Sequence, residues 1–104
     1  MTDDKQIRVE KEGRVVAQAT VSADDDGQGR AQVHVAAGQL PVGTRREVVE
    51  AVHEAVTEHH THHLTATVPL GDVELVQGIR NHLDGDQIRA AGATSIITGE
   101  VKPS

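Results

Sequence analysis

The sequence predicts an α+β fold of two layers, in which two helices cover one face of a mixed sheet of about five strands in the order β-β-β-α-β-α-β. Three observations carry this prediction. Apolar and polar residues alternate through the first third of the chain, as is typical of half-buried strands. An apolar stripe with helical spacing follows. The strand–helix–strand unit from Arg30 to Val68 implies a parallel pair joined by a right-handed crossover.

The first three strands precede this helix. Residues Gln6 to Lys11 alternate, Glu12-Gly13 supplies a turn, and Arg14 to Ser22 continues the alternation, so the two segments are predicted to form a hairpin. The segment ADDDGQGR after them has the composition of a solvated turn. The third strand is predicted from Arg30 to Ala37.

The long helix has a predicted start signal. The loop GQLPVG ends at Thr44, where a helix N-cap belongs, and Glu47 lies three positions further on. This spacing predicts a capping box, in which the Thr hydroxyl and the Glu carboxylate each accept a backbone N–H. The helix is expected from Arg45 to about His59. Its buried stripe consists of Val48, Val49, Val52, Ala55 and Val56.

The second half repeats strand and helix. A strand is predicted from Thr61 to Val68 and ends at Pro69, and Asp72 is expected to cap a second helix. The buried stripe of that helix is Leu75, Val76, Ile79 and Leu83, with Gly78 inside it as a sign of close backbone approach and His82 expected to be exposed. Asp84-Gly85-Asp86 would stop the helix, residues 87–93 are expected to be irregular, and Thr94 to Val101 is the last predicted strand.

A chain of 104 residues is expected to form a single domain over residues 1–104, with flexible tails at 1–5 and 102–104. It contains no Phe, Trp or Tyr, so the core must consist of aliphatic side chains. Such a core forgoes the large area that each aromatic ring buries. We therefore expect modest stability, which a homodimer would naturally supplement.

Charge and composition exclude several classes of protein. The net charge of −6 argues against nucleic acid and anionic membranes as partners, because both require a concentrated basic surface. There is no cysteine, which excludes disulfides and thiolate chemistry. The N-terminal segment MTDDKQ is polar and acidic, unlike a signal peptide, so we expect a cytoplasmic protein.

Four segments in chain order resemble the GNAT superfamily of acetyl-CoA-dependent N-acetyltransferases. They are GRVVAQATV, VHVAAGQLPVGTRREVVEAVHEAV, HLTATVPLGD and the final helix and strand, together covering roughly residues 13–101; the first two helices of the family are absent. The resemblance implies that Val42, Gly43, Thr44 and Arg45 bind the pyrophosphate of the cofactor at a helix N-terminus. It places Asp72 where the family often has a cofactor-contacting Asn.

The chain also departs from the family pattern. In the loop before the long helix only Gly43 agrees with the glycine pattern in the best register, and Pro41 lacks an N–H. The Tyr that often serves as general acid is missing. These departures favour a non-enzymatic or vestigial domain that acts as a binding or regulatory module for an unknown protein or small ligand. The alternative is a small N-acetyltransferase with His34 or Glu47 as the base.

A histidine cluster is the second candidate site. His59, His60, His62 and His63 lie between the long helix and the next strand. Clustered imidazoles can bind zinc, nickel or copper. However, HEAVTEHH misses the zinc-protease motif, because Thr57 replaces its second His. Favourable charge at the helix C-terminus and a pH-responsive surface are the alternative explanations.

Overall fold

The computed structural model describes residues 3–102 and contains six strands and two helices in that range. The elements are β1 (Asp3–Lys11), β2 (Arg14–Ala23), β3 (Gln28–Val35), α1 (Thr44–Glu58), β4 (His63–Pro69), α2 (Val73–Arg80), β5 (Leu83–Ala91) and β6 (Thr94–Val101). None of the helices in these residues is long and apolar enough to span a membrane.

The strands form one mixed sheet in the order β1-β2-β3-β4-β6-β5. β3 and β4 are parallel and joined through α1, whereas the other neighbours are antiparallel. The two-layer α+β architecture, the parallel pair and the position of α1 are therefore as the sequence predicts. The end of the second helix was predicted wrongly: α2 ends at Arg80, and Leu83, assigned to its buried stripe, is the first residue of β5.

The expectation of five strands is wrong, because residues 83–91 form β5 instead of an irregular segment. Asp84-Gly85-Asp86, which was predicted to end the second helix, instead forms a β-bulge in β5. The register passes from Asp84 opposite Glu100 directly to Gln87 opposite Thr98. Arg80 at the end of α2 pairs with Asp86 in this bulge. A bulge lets a strand continue through residues that would otherwise interrupt its ladder.

The first strand begins earlier than expected. Residues 3–5, assigned from the sequence to a tail, belong to β1 and pair with the end of β2. The ammonium of Lys5 lies 3.2 Å from the Glu58 carboxylate on α1, which ties this end of the strand to the helix layer. Lys102, also assigned to a tail, donates its N–H to the His82 carbonyl at 2.9 Å. Residues 1, 2, 103 and 104 lie outside the described residues.

One aliphatic core lies between the helices and the sheet. It includes the predicted stripe of α1 and the inward residues of β1 to β4 and β6. Gly78 lies where α2 crosses α1: a Cβ there would be 3.1 Å from Val49 Cγ2. The glycine thus permits the close helix contact that the sequence predicts.

The opposite face of the sheet is polar, and no other element of residues 3–102 covers it. We call it the open face. Alternation places polar side chains there, since every neighbour along a strand points into the core. Its central residues are Gln6, Arg8, Gln18, Thr20, Ser22, Arg30, Gln32, His34, Thr65, Thr67, Gln87, Arg89, Ile96 and Thr98.

Candidate functional site

The parallel strands β3 and β4 part before either ends. Their pairing runs from Gln28 opposite His63 to Gln32 opposite Thr67 and stops there. β3 continues to Val35 along β2, and β4 continues to Pro69 along β6. The facing edges of Val33–Val35 and Val68–Pro69 are therefore not paired with each other. We call this opening the β3–β4 gap.

Pro69 explains why the ladder stops. Odd-numbered residues of the β3 segment turn their backbone groups towards β4, as the Gly27 carbonyl does when it accepts the His63 N–H at 3.1 Å. The Leu70 N–H bonds to Ala93 on the β6 side, so the nitrogen of residue 69 faces β3. If the parallel ladder continued by one more step, the Val33 carbonyl would accept the N–H of residue 69. This residue is a proline and has no N–H.

The start of α1 differs from the predicted capping box. Gly43 is the N-cap residue, with a left-handed φ of 85°, and no side chain caps the helix. Thr44 is the first helical residue and is buried, and its hydroxyl donates to the Pro41 carbonyl at 2.7 Å. The Glu47 carboxylate pairs with the Lys11 ammonium at 2.8 Å. The capping box is wrong because the chain enters the helix through the left-handed glycine, which turns Thr44 inward.

The first turn of α1 keeps donors free. The Thr44 N–H bonds to the Pro41 carbonyl and the Glu47 N–H to the Gly43 carbonyl. The N–H groups of Arg45 and Arg46 have no acceptor among the described residues. Free amides at a helix N-terminus, together with the helix dipole, favour an anion.

An ion pair joins the starts of the two helices. The Arg45 Nε lies 2.9 Å from both carboxylate oxygens of Asp72. Asp72 also accepts the Leu75 N–H at 3.1 Å, which confirms it as the N-cap of α2. Both helices follow the carboxyl ends of the parallel strands, so this pair lies at the end of the sheet where the gap opens. Arg45 thereby neutralises the carboxylate that would otherwise repel a phosphate.

The two candidate bases lie in different places. His34 is exposed on the open face, in the part of β3 that borders the gap, opposite Gln18 of β2. Glu47 points from α1 towards β1, where Lys11 binds it. Val42 is fully exposed in the loop before the helix. The structure thus brings His34 to the gap and leaves Glu47 away from it.

The predicted histidine cluster links elements through its backbone. The N–H groups of His62 and His63 both bond to the Gly27 carbonyl, at 2.8 and 3.1 Å. His59 is the C-cap of α1, and His60 has a left-handed φ of 53°. Within residues 3–102 no three His, Cys, Asp or Glu side chains are grouped to hold a metal ion.

A different histidine pair was missed from the sequence. The rings of His53 on α1 and His82 after α2 stack with centroids 4.0 Å apart and planes 16° from parallel. His82 is half-buried, so the expectation that it is exposed is wrong. Burial and the neighbouring His82 lower the pKa of His53 below its ordinary value. The only sign of this pair in the sequence is spacing. Each histidine lies about one helical turn after a residue of a buried stripe, His53 four residues after Val49 and His82 three after Ile79.

Comparison with known proteins identifies the fold. A ribosomal-protein-alanine N-acetyltransferase from Brucella melitensis superposes with a TM-score of 0.65 at 17% identity, over 92% of this chain and 67% of its own. An acetyltransferase of the GNAT family from Streptococcus pneumoniae gives 0.66 at 15% identity, over 94% and 66%. The ribosomal-protein-S18-alanine N-acetyltransferase from Escherichia coli gives 0.67 at 10% identity, over 97% and 71%.

The chain therefore has the GNAT fold, as the resemblance implied. It spans about two thirds of the length of these three proteins. No protein-family model matches the sequence, and no curated protein matches it either. At these identities the likeness establishes the fold alone.

The residues at the gap fit acetyl-CoA. The free N–H groups of Arg45 and Arg46 suit a pyrophosphate, and the Val33 carbonyl and the Val35 backbone groups, which lack a partner on β4, suit the amides of an extended pantetheine arm. Asp72 does not oppose this arrangement, because Arg45 holds its carboxylate. Asp72 caps α2 and pairs with the Arg45 side chain.

Proposed function

We propose that this chain is an acetyl-CoA-dependent N-acetyltransferase that acetylates a primary amine. The observation that supports this best is the β3–β4 gap, which places unpaired strand edges beside the free amides of the α1 N-terminus. The fold shared with N-acetyltransferases supports the same proposal.

Each part of the cofactor would meet a different element. The N–H groups of Arg45 and Arg46 would bind the pyrophosphate, and the Arg46 side chain, 83% exposed, would reach an outer phosphate. The Val33 carbonyl and the Val35 N–H would bind the pantetheine amides. Gly43 has no side chain to obstruct the phosphates. A Cβ at this position would meet no protein atom within 4 Å, so the space beside the loop is open.

The bound cofactor would supply a thioester carbonyl. His34 would accept the proton that the acceptor nitrogen loses as it bonds to the carbonyl carbon, because it borders the gap and faces solvent. The carbon–sulfur bond would then break, and the thiolate leaving group would take its proton from water, since the chain has no tyrosine to supply it. The cytoplasmic location and the homodimer expected from the sequence stay predictions.

An NMR titration of the full chain with acetyl-CoA tests the proposal. We expect amide shifts at Val33–Val35 and Gly43–Arg46. Gly43→Val should weaken binding, because a β-branched residue resists the left-handed conformation. Gly13→Val is the matched control: it has a φ of 79° and equally open surroundings, but lies at the β1–β2 turn. Saturating cofactor that moves none of these amides would refute the proposed function.

A further inference from the structure

The two edge strands of the sheet differ in how they are protected. β1 and β5 are the outer strands, and neither has a second partner strand among residues 3–102. Six of the nine residues of β1 are charged, and its Lys5 and Lys11 side chains form ion pairs with α1. Charged side chains discourage another strand from pairing with an exposed edge. β1 therefore has the protection that edge strands usually carry.

β5 lacks this protection after its bulge. Residues 87–91 contain a single charged side chain, that of Arg89. Ile88 lies opposite Ile97 in the ladder, so these two side chains share the helix side of the sheet. Ile97 is fully buried, whereas Ile88 is 44% exposed. An apolar side chain therefore faces solvent beside an edge that has no partner strand in residues 3–102.

The outward backbone groups of this part of β5 belong to even-numbered residues. The Lys102 N–H bonds to the His82 carbonyl just before β5, so the even-numbered residues of β6 direct their backbone groups to β5. Their ladder partners on β5 are Gln87, Arg89 and Ala91. The N–H and carbonyl groups of Ile88 and Ala90 therefore point away from β6, to the outer edge of the sheet.

We propose that β5 pairs antiparallel with β5 of a second copy of this chain, with Ile88 opposite Ile88, so that the two sheets become one. This inference goes beyond the proposed function and does not depend on it. The two-fold axis of the pair would pass between the two Ile88 residues, perpendicular to the sheet, and both helix layers would lie on the same side. The β3–β4 gap would stay free in both copies, because β6 and β5 separate it from the new pairing.

The side chains select this register among those that pair the outward groups. With Ile88 opposite Ala90, Arg89 would face Arg89 of the second copy directly, which is unfavourable for like charges. With Ala90 opposite Ala90, Ile88 would lie opposite Gly92, beyond the end of the strand. A shift in the other direction would pair Ile88 with the bulge, where the ladder is irregular. The register with Ile88 opposite Ile88 joins the two exposed apolar side chains.

Charge complementarity supports the same register. Arg89 has no ion-pair partner in residues 3–102. In the dimer it would lie opposite Gln87 of the second copy and diagonally beside Asp84 of that copy. Diagonal neighbours across two strands are about 7–8 Å apart, which is within reach of a long side chain. The two-fold axis would form this contact twice.

The other charges near the new pairing are compatible with it. Asp86 is already ion-paired with α2 in its own chain. The Lys102 ammonium lies 3.9 Å from the Asp84 carboxylate, and Glu100 lies opposite Asp84 on β6, so a second carboxylate remains on this side for the incoming arginine. The two Arg89 side chains would also be diagonal neighbours, but each would have Asp84 of the other copy on its opposite side.

The contact area would be small and the dimer weak. A standard interface buries about 800 Å² on each partner, more than an overlap of residues 86–90 supplies. Sedimentation of the full chain between about 10 μM and 1 mM, which spans weak dissociation constants, should show the average mass rising towards that of two chains. Hydrogen exchange should show that the Ile88 and Ala90 amides are protected at the upper concentrations and not at the lower ones.

Two variants should prevent the pairing. Ile88→Lys should keep the chain monomeric at the highest concentration, because it places two ammonium groups side by side. Val15→Lys is the matched control, since Val15 is also β-branched, is 40% exposed and lies on β2, away from β5; it should leave the dimer intact. Ala90→Pro should also keep the chain monomeric, because it removes an outward N–H and none that bonds to β6. Thermal unfolding verifies that all three variants fold.

Disulfide formation reports the register, because the chain contains no cysteine of its own. The variants Gln87→Cys and Arg89→Cys are mixed in equal amounts at the highest concentration and oxidised in air. They should form the mixed disulfide, since residues of a non-hydrogen-bonded pair lie about 4.5 Å apart between Cα atoms, within the range of a disulfide. Mass spectrometry distinguishes this product from the two symmetric disulfides.

A chain that stays monomeric throughout would overturn the inference, and so would a dimer that persists in Ile88→Lys or Ala90→Pro. A symmetric disulfide in excess of the mixed one would overturn the register. The acetyl-CoA affinity of Ile88→Lys should equal that of the unaltered chain, because Ile88 lies away from the gap. Loss of the dimer therefore leaves the proposed function standing, and absence of acetyl-CoA binding leaves the dimer standing.

Discussion

Pro69→Val should close the β3–β4 gap. The substitution supplies the N–H that the ladder lacks, directed at the Val33 carbonyl, because the neighbouring Leu70 N–H faces β6. The new backbone bond adds about 0.5–1.5 kcal/mol of stability. Loss of the proline restraint on the unfolded chain removes about 0.4–1 kcal/mol. The free energy of unfolding should therefore change by less than about 1 kcal/mol.

Cofactor binding should change much more. Closing the gap would remove the two backbone partners proposed for the pantetheine arm, a loss of about 1–3 kcal/mol at 0.5–1.5 kcal/mol each. The affinity for acetyl-CoA should fall by about 5- to 150-fold. Inorganic pyrophosphate is the internal control, because in the proposed site it would contact only the α1 N-terminus and should bind equally to both proteins.

Calorimetric titration measures both affinities, and hydrogen exchange reports whether the new amide at residue 69 is protected. A protected amide with unchanged acetyl-CoA affinity would refute the assignment of the gap as the pantetheine site. An unprotected amide would refute the argument that Pro69 alone keeps the strands apart.

Three further predictions concern stability. Arg45→Gln should lower the free energy of unfolding by about 1–3 kcal/mol in urea titration, because it leaves the 9%-exposed Asp72 carboxylate unpaired. The control Arg46→Gln should lower it by less than about 0.5 kcal/mol. Equal losses would contradict the role of the Arg45–Asp72 pair. Gly99→Ala should cost about 1–3 kcal/mol, because its Cβ would lie 3.1 Å from the Asp84 carbonyl oxygen in the β5 bulge, and an unchanged melting temperature would place the bulge elsewhere. Folding lowers the pKa of His53, so the unfolded chain binds more protons and the free energy of unfolding should fall as the pH drops below about 6.5. The variant His53→Gln should reduce this loss between about pH 7.5 and 5.5. An identical pH profile of the variant would show that the histidine pair does not resist protonation.

Local patterns predicted most of the fold. The alternation around Ile7, Val33 and Ala66 and the stripe of α1 identified their elements, because each buries one face with a fixed period. β5 was missed because Asp84-Gly85-Asp86 is typical of a turn, and only pairing with β6 makes it a bulge. At these residues the pairing with β6 determines the structure, and the local composition does not.

The site was less predictable. Gly43 was identified in its loop, but Thr44 was assigned to the cap because the spacing to Glu47 fits a capping box, and the left-handed glycine was not readable as the true cap. Arg45 and Asp72 were named separately, and their contact joins residues 27 positions apart. Pro69 was recognised as the end of a strand; its effect on β3 depends on register, which the sequence does not specify locally.

The central claim is tested most directly by release of free thiol from acetyl-CoA in the presence of the full chain and a primary amine. We predict thiol release that requires both protein and amine, that yields an equal amount of N-acetylated product, and that falls sharply in His34→Gln. Thiol release no faster than without protein, at cofactor concentrations that saturate binding, would contradict the account.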